Sequence, residues 1–288
     1  MKSLFRRSPP SHQVGLLLAS DRILLACVEP VPIFTSRAIN GPHDWPKAMG
    51  ELFAQHGLAK SKVRVALAAS LYQQIQIDKP AVPDAEMAGA LPWAIKDFVN
   101  EPVLQLAMDY VDLPTPPAGR PRINVICVPK SRVQQLADAV NGVATLEAIV
   151  SDELAMTALY EADQTVRMLL WQPRGQELQL LVFYRGGLCF SRPLRGFVSL
   201  TGAHEPDQGM LDGLTLEIQR SLDYLAGQLK LPEPGQMQLA IGSPFIGTLV
   251  RHLEQAFGFP VSAMANKAVL AGVEYLSAYG AALGRSEG

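Results

Sequence analysis

The chain is poor in the residues that announce common chemistries. Only three of its 288 residues are cysteine and five are histidine; 18% are charged and 7% aromatic, and the formal net charge is -2. Cys27, Cys127 and Cys189 are odd in number, widely spaced and set in apolar runs, which excludes a disulfide framework and predicts buried, reduced thiols. His12, His43, His56, His204 and His252 form no HxxxH or Cys/His cluster, so no metal site is expected. The charge balance gives no electrostatic footprint for nucleic acid. There is no Gly-x-Ser-x-Gly and no Gly-Lys-Ser/Thr, and Gly186-Gly187 lies between two strand-like runs instead of before a helix. A hydrolase elbow, a P-loop and a dinucleotide loop are therefore excluded. Apolar runs such as Val14 to Ala19 and Leu180 to Tyr184 fall far short of the roughly 20 residues that span a bilayer. With no signal-peptide pattern after Met1, the chain is expected to be cytosolic. Lys2, Arg6 and Arg7 beside Leu4 and Phe5 read as a solvated tail.

What is present is apolar residue in short, punctuated runs; hydrophobic residues make up 48% of the chain. Arg167 to Trp171, Leu178 to Tyr184 and Leu188 to Leu194 are rich in Val, Leu, Phe and Tyr and are separated by Pro- or Gly-bearing breaks. They predict three antiparallel strands in a meander. Gln13 to Ala19, Arg22 to Val28 and Val31 to Ala38 form a weaker copy at the start. Two halves that each open with a meander and continue with helices alternating with strands imply an internal duplication.

Within the first half, Trp45, Met49, Leu52 and Phe53 recur at helical spacing up to Gly57. Strands are expected at Val63 to Ala69 and Leu71 to Asp78. A helix from Asp84 carries the stripe Met87, Leu91, Ile95 and Phe98, with Pro92 expected to kink it. Strands Leu104 to Asp112 and Arg122 to Val128, a helix capped by Ser131 and a strand Ala144 to Val150 follow. Ser151 is read as the N-cap of a helix reaching Tyr160, and the acidic Asp152 and Glu153 suit its first turn. Residues 83–140 are read as a small α/β insertion. This divides the chain into a tail at 1–12, a first lobe at 13–162 and a second lobe at 163–288. The second lobe continues with a helix striped by Leu211, Leu214, Ile218, Leu222, Leu225 and Leu229. It then runs through a strand Gln236 to Ile241, a helix Phe245 to Phe257, a short strand at Val261 and a helix Val269 to Leu283.

Four stretches in this order resemble the PilM family of type IV pilus assembly. They are Val82-Pro-Asp-Ala-Glu-Met with Ala90-Leu-Pro-Trp93; Met108-Asp109-Tyr110; Leu216-Glu-Ile-Gln-Arg-Ser-Leu-Asp-Tyr224; and Tyr279-Gly-Ala-Ala-Leu-Gly284. Their arrangement is most similar to the branch serving mannose-sensitive haemagglutinin (MSHA) pili. The resemblance implies an α/β, actin-like fold of duplicated βββαβα halves with an inserted subdomain. It also implies a cytoplasmic role on the inner-membrane face of a pilus machine. There a groove beside the insertion receives the N-terminal cytoplasmic peptide of a PilN-like bitopic inner-membrane protein; the pilus assembly ATPase and a second copy of the chain are further partners. Met87, Leu91, Ile95 and Phe98, with Asp109 and Tyr110 in the strand Met108 to Val111, are the expected partner-facing residues.

Actin-like ATPases hold Mg-ATP with an acidic residue and glycines in the first turn of each meander. This chain departs from that pattern twice. Its first turn, Ala19-Ser20-Asp21-Arg22, has Asp21 but no glycine, and its second, Trp171-Gln172-Pro173-Arg174-Gly175, has a proline without an N–H and no carboxylate. Arg174 is read as a solvated turn charge. Gly242 and Ser243 stand where the family has a Gly-Gly pair, and Glu217 and Arg220 match polar positions near the base, against a plain reading as a solvated helix face. The remnant cleft is thus Asp21, Glu217, Gly242 and Ser243, and the expected protein is a scaffold that is not an enzyme and needs no ATP or Mg²⁺. An ATP-binding switch in the same machine and the actin-like part of a type II secretion platform share the fold and are the alternatives.

Overall fold

A computed structural model describes residues 12–173 and 175–284. The expected tail, apart from His12, and the turn charge Arg174 lie outside the described residues.

The first half opens with β1 (Gln13–Leu18), β2 (Arg22–Cys27) and β3 (Ile33–Ala38), a one-turn 3-10 helix, then α1 (Trp45–His56) and β4 (Lys62–Leu67). Gly57 ends α1 in the left-handed conformation at φ 66°, as a C-terminal glycine should. Next come β5 (Gln73–Asp78), α2 (Asp84–Ile95), β6 (Leu106–Asp112), β7 (Arg122–Pro129), α3 (Lys130–Asn141), β8 (Thr145–Ser151) and α4 (Asp152–Ala155). The second half is β9 (Arg167–Gln172), β10 (Leu178–Tyr184), β11 (Gly187–Leu194), α5 (Gln208–Gly227), β12 (Gln236–Ile241), α6 (Ile246–Phe257), β13 (Val261–Ala263), α7 (Lys267–Ala271) and α8 (Leu276–Leu283).

The duplication is explicit in the strand order. One five-stranded sheet runs β3-β2-β1-β4-β8 and the other β11-β10-β9-β12-β13, each an antiparallel meander extended by two parallel strands. Both faces of each sheet are covered, so the central strands are apolar throughout and lack alternation. Along β1, Val14, Leu16 and Leu18 face a core shared with α1 and α3, while Leu17 joins Ala278 and Ala281 of α8 on the other face. Along β9, Met168 and Leu170 face α5 and α6, whereas Leu169 and Trp171 pack with Met156 and Leu276.

Each half lends a helix to the other. α8 closes the second half in sequence but lies on the first sheet, and it lies very close. A Cβ placed on Gly15 would stand 1.9 Å from the carbonyl oxygen of Ala278. Likewise a Cβ on Gly280 would meet the Ala155 carbonyl oxygen at 2.3 Å. The small residues of α8 are therefore a packing requirement of this crossing. In return, the turn after α4 presses Met156 onto the second sheet.

Four expectations are corrected. The insertion is displaced: β5 pairs with β7 in a separate three-stranded sheet β5-β7-β6, while Leu136, Ala139 and Val140 of α3 join the core of the first lobe. The inserted layer thus spans 73–129 and not 83–140, because the alternating Ile75 and Ile77 fit a sheet packed on one face only. Lys130, preceded by Pro129, begins α3, so Ser131 is not its cap. The expected helix from Val269 to Leu283 is two, broken at Gly272, whose φ of +152° is incompatible with a helix. The helix after Ser151 tightens into a 3-10 turn at Met156–Leu159, although Ser151 does cap it by accepting from the Leu154 N–H at 3.2 Å.

Candidate functional site

Two sheet edges face one another across an apolar groove of about 270 Å³. β6 is the outer strand of the inserted sheet and β8 the outer strand of the first lobe's sheet. Five consecutive residues of β6, Ala107 to Val111, line the groove, as do Ile149 to Ser151 of β8. Successive side chains of a strand point to opposite faces, so a run of consecutive residues lines a cavity only where the cavity meets the strand's edge. Ile126 and Val128 of β7, with Leu67, Val133 and Leu154, complete its walls.

Asp109 is an exposed acid in this apolar setting and forms no ion pair with a described residue; its Oδ1 accepts from the Tyr110 N–H at 2.8 Å. Asp112, at the end of the same strand, is instead paired with Lys79 at 2.9 Å.

Of the expected partner-facing residues, Asp109 and Tyr110 line the groove. Phe98 lies beyond the end of α2 and is exposed. Met87, Leu91 and Ile95 are corrected: all three are 2% exposed or less and are packed against Ile75, Ile77 and Val125. A three-stranded sheet with one helix has too little apolar surface to spare its only stripe for a partner.

Between the groove-lining Ser151 and Leu154 lies an acidic pair, buried Asp152 and half-buried Glu153, that sequence reasoning assigned only to a helix terminus. Asp152 is 5% exposed. Its carboxyl accepts from the Tyr72 hydroxyl at 3.0 Å and from the backbone N–H groups of Glu153 at 2.9 Å and Ala69 at 3.3 Å. Burial, followed by the charge of Glu153, pushes its pKa up to about 7 against the pull of those donors. Burial raises Glu153 as well, although Ser191 of β11 donates to its Oε1 at 2.6 Å. The pair thus ties the turn leading into the insertion to the second lobe. No local pattern marks it, since Tyr72 and Asp152 are 80 residues apart.

The residues expected to form a cleft lie elsewhere. A cavity of about 620 Å³ is lined by 201–203, 241–244 and the segment around Gly272 to Glu274. Gly242 and Ser243 are part of it, but their N–H groups are directed at the carbonyls of Gln172, at 3.5 Å, and Ile241, at 2.8 Å. Trp171 is buried and its indole donates to the Val273 carbonyl at 3.1 Å. Gln172 is fully buried, donating to the carbonyls of Gln176 and Phe197. Asp21 is bound by its neighbour Arg22 at 2.8 Å, which lowers its pKa. Glu217 is not brought to this cavity; it forms ion pairs with Arg192 and Arg220 on the flank of α5.

No protein-family model and no curated protein matches the sequence. Solved structures do. The chain is similar to a structure of a PilM-PilN type IV pilus biogenesis complex, with a TM-score of 0.67 at 17% identity over 96% of this chain and 98% of that one. It is also similar to a protein of actin-like ATPase fold and unknown function from Bacteroides thetaiotaomicron, with a TM-score of 0.52 at 12% identity over 91% and 95% of the two chains. The chain therefore has the α/β, actin-like fold, with mixed sheets and helices on their faces.

Proposed function

We propose that this protein is a cytoplasmic scaffold of a type IV pilus assembly platform, of the MshI kind that serves MSHA pili. In this reading it binds the N-terminal cytoplasmic peptide of a PilN-like inner-membrane protein in the groove between β6 and β8. The observation that carries the proposal is the meeting, across an apolar groove, of two strand edges that pair with no further described strand. An extended peptide satisfies such an edge with main-chain hydrogen bonds, and apolar pockets select its side chains. Similarity to a structure described as a PilM-PilN complex supports the choice of machine. Among the described residues no helix is long and apolar enough to cross a membrane, in keeping with recruitment through a membrane-bound partner.

The scaffold works without nucleotide. Phosphates need several free N–H donors and a cation ligand. Here the N–H groups of Gly242 and Ser243 point at carbonyls, Trp171 occupies the place of a ligand, and Glu274 adds negative charge to the cavity wall. The residues present do not fit Mg-ATP.

Fluorescence anisotropy of a labelled synthetic peptide, copied from the partner's N-terminal segment, tests the assignment. Saturable binding with a Kd of about 1–100 μM is expected, corresponding to roughly 5.5 to 8 kcal/mol. Ala107→Arg, which extends a side chain into the groove, should weaken binding at least about tenfold while leaving the melting temperature within about 2 °C. Absence of binding to folded protein at high micromolar peptide would sink the proposal.

A further inference from the structure

The groove does not end at the first lobe. A second cavity of about 290 Å³ lies between the inserted sheet and β11, lined by Gln74, Gln76 and Asn124 above and by Phe190, Ser191 and Tyr224 below. Three lines of covalent or hydrogen-bonded structure cross from one cavity to the other. On β7, Ile126 lines the first and Asn124 the second; two residues apart on one strand, they share a face about 6–7 Å apart. Next to β6, Val111 lines the first and Leu113 the second. On the opposite wall Leu154 lines the first, and the neighbouring Glu153 is bonded to Ser191, which lines the second.

We infer that the two cavities form one channel, and that an extended peptide of a second protein occupies it from β6 and β8 through to Phe190 and Tyr224, so that one ligand touches both lobes. This inference rests on the peptide-docking reading above and extends it to the second lobe. The channel changes character along its length, and that change describes the occupant. Its first part is apolar, and on one wall stands the carboxylate of Asp109, which forms no ion pair with a described residue. An apolar segment carrying a lysine or arginine complements it. Its second part presents amides: Gln76 donates to Asn124 at 3.3 Å and accepts from Arg122 at 3.1 Å. Opposite them lie Phe190 and Tyr224, ring centroids 5.3 Å apart. Amides above and aromatic rings below suit a polar peptide backbone lying flat between them. At about 3.3 Å per residue, a strand that follows the seven residues of β6 and continues past Leu113 is roughly ten to twelve residues long.

The ligand's charge and its reach are read in one experiment with the full chain. Synthetic peptides of six, nine and twelve residues from the partner's N-terminus are made with a photoreactive benzoylphenylalanine at successive positions, and crosslinks are located by mass spectrometry. The inference expects crosslinks to move from residues 107–111 to residues 188–191 and 224 as the probe position advances. Affinity should rise at least about fivefold from six to twelve residues. Tyr224→Ala should abolish that gain without changing the affinity of the six-residue peptide. Exchange of the peptide's basic residue for glutamate should weaken binding, and Asp109→Lys should recover it. Crosslinks confined to residues 67–154, or a length gain that survives Tyr224→Ala, would overturn the channel while leaving docking in the groove intact. If no peptide binds, the docking reading falls and the channel with it.

Discussion

The hydroxyl of Tyr72 donates to the carboxyl of Asp152 at 3.0 Å, joining the turn that leads into the inserted layer to the helix that follows β8. Because burial holds the pKa of Asp152 at about 7, against 3.8 for an exposed aspartate, folding and protonation are linked. Between these values the folded chain retains a proton that the unfolded chain has lost. The stability linked to that proton is therefore full below about pH 4, declines as pH rises and is gone above about pH 7. The whole span is on the order of 4 kcal/mol, and the raised Glu153 acts in the same direction.

The melting temperature should accordingly fall between pH 5 and pH 8, and Asp152→Asn should flatten that slope while retaining a partner for Tyr72. Asp152→Ala leaves the hydroxyl and the Ala69 N–H unpaired and should cost about 1–3 kcal/mol near pH 4, where the parent carboxyl is protonated in the fold; the cost should shrink as pH rises, because the variant has no carboxyl to titrate. Equal slopes for the parent protein and the Asn variant would contradict this account.

The halves of the fold were legible because their signal is local. Apolar runs broken by Ser20-Asp21 and Arg185-Gly186 mark the strand turns of both meanders, and Gly57 ends its helix where expected. The boundaries of the insertion were not legible, since the assignment of β5 to one sheet or another is decided by pairing with β7, about 50 residues on. The groove was half legible: the strand bearing Asp109 and Tyr110 was found, but the stripe Met87, Leu91 and Ile95 proved to be core. Helical periodicity reports an apolar face without telling whether the protein's own sheet or a partner covers it.

The crossing of α8 over β1 makes a sharp stability prediction. Gly15→Ala would force a Cβ to within 1.9 Å of a backbone oxygen, and backbone cannot swing aside as a flexible side chain can. A loss of about 3 kcal/mol or more is expected, or roughly 6–12 °C in melting temperature. Gly50→Ala, in the middle of α1 with open space around it, should raise stability by about 0.5–1 kcal/mol. Comparable melting curves for the two variants would refute the packing argument.

Trp171 gives a prediction about the cleft. Phe at this position keeps most of the apolar contact with Met156 and Leu276 but leaves the Val273 carbonyl without its donor. Trp171→Phe should cost about 1–2 kcal/mol and leave peptide affinity unchanged, because Trp171 lines neither the groove nor the second cavity. A tenfold change in peptide binding would place Trp171 in the docking machinery instead.

The three thiols supply a check on burial. Cys27, Cys127 and Cys189 are all buried, and burial pushes the pKa of Cys127 up to about 11. Reaction depends on the thiolate and on access. Iodoacetamide at pH 8 should therefore label the native protein at least about a hundredfold more slowly than the protein in denaturant; equal rates would mean that the strands carrying these residues open readily.

The most direct test of the central claim is hydrogen–deuterium exchange of the whole chain, recorded alone, with the partner peptide and with Mg-ATP. The account predicts that peptide protects the outward-facing amides of 107–112 and 149–151, and that millimolar Mg-ATP protects neither 241–244 nor 272–274. Protection of the cleft by Mg-ATP, with the edges of β6 and β8 unchanged by peptide, would contradict it.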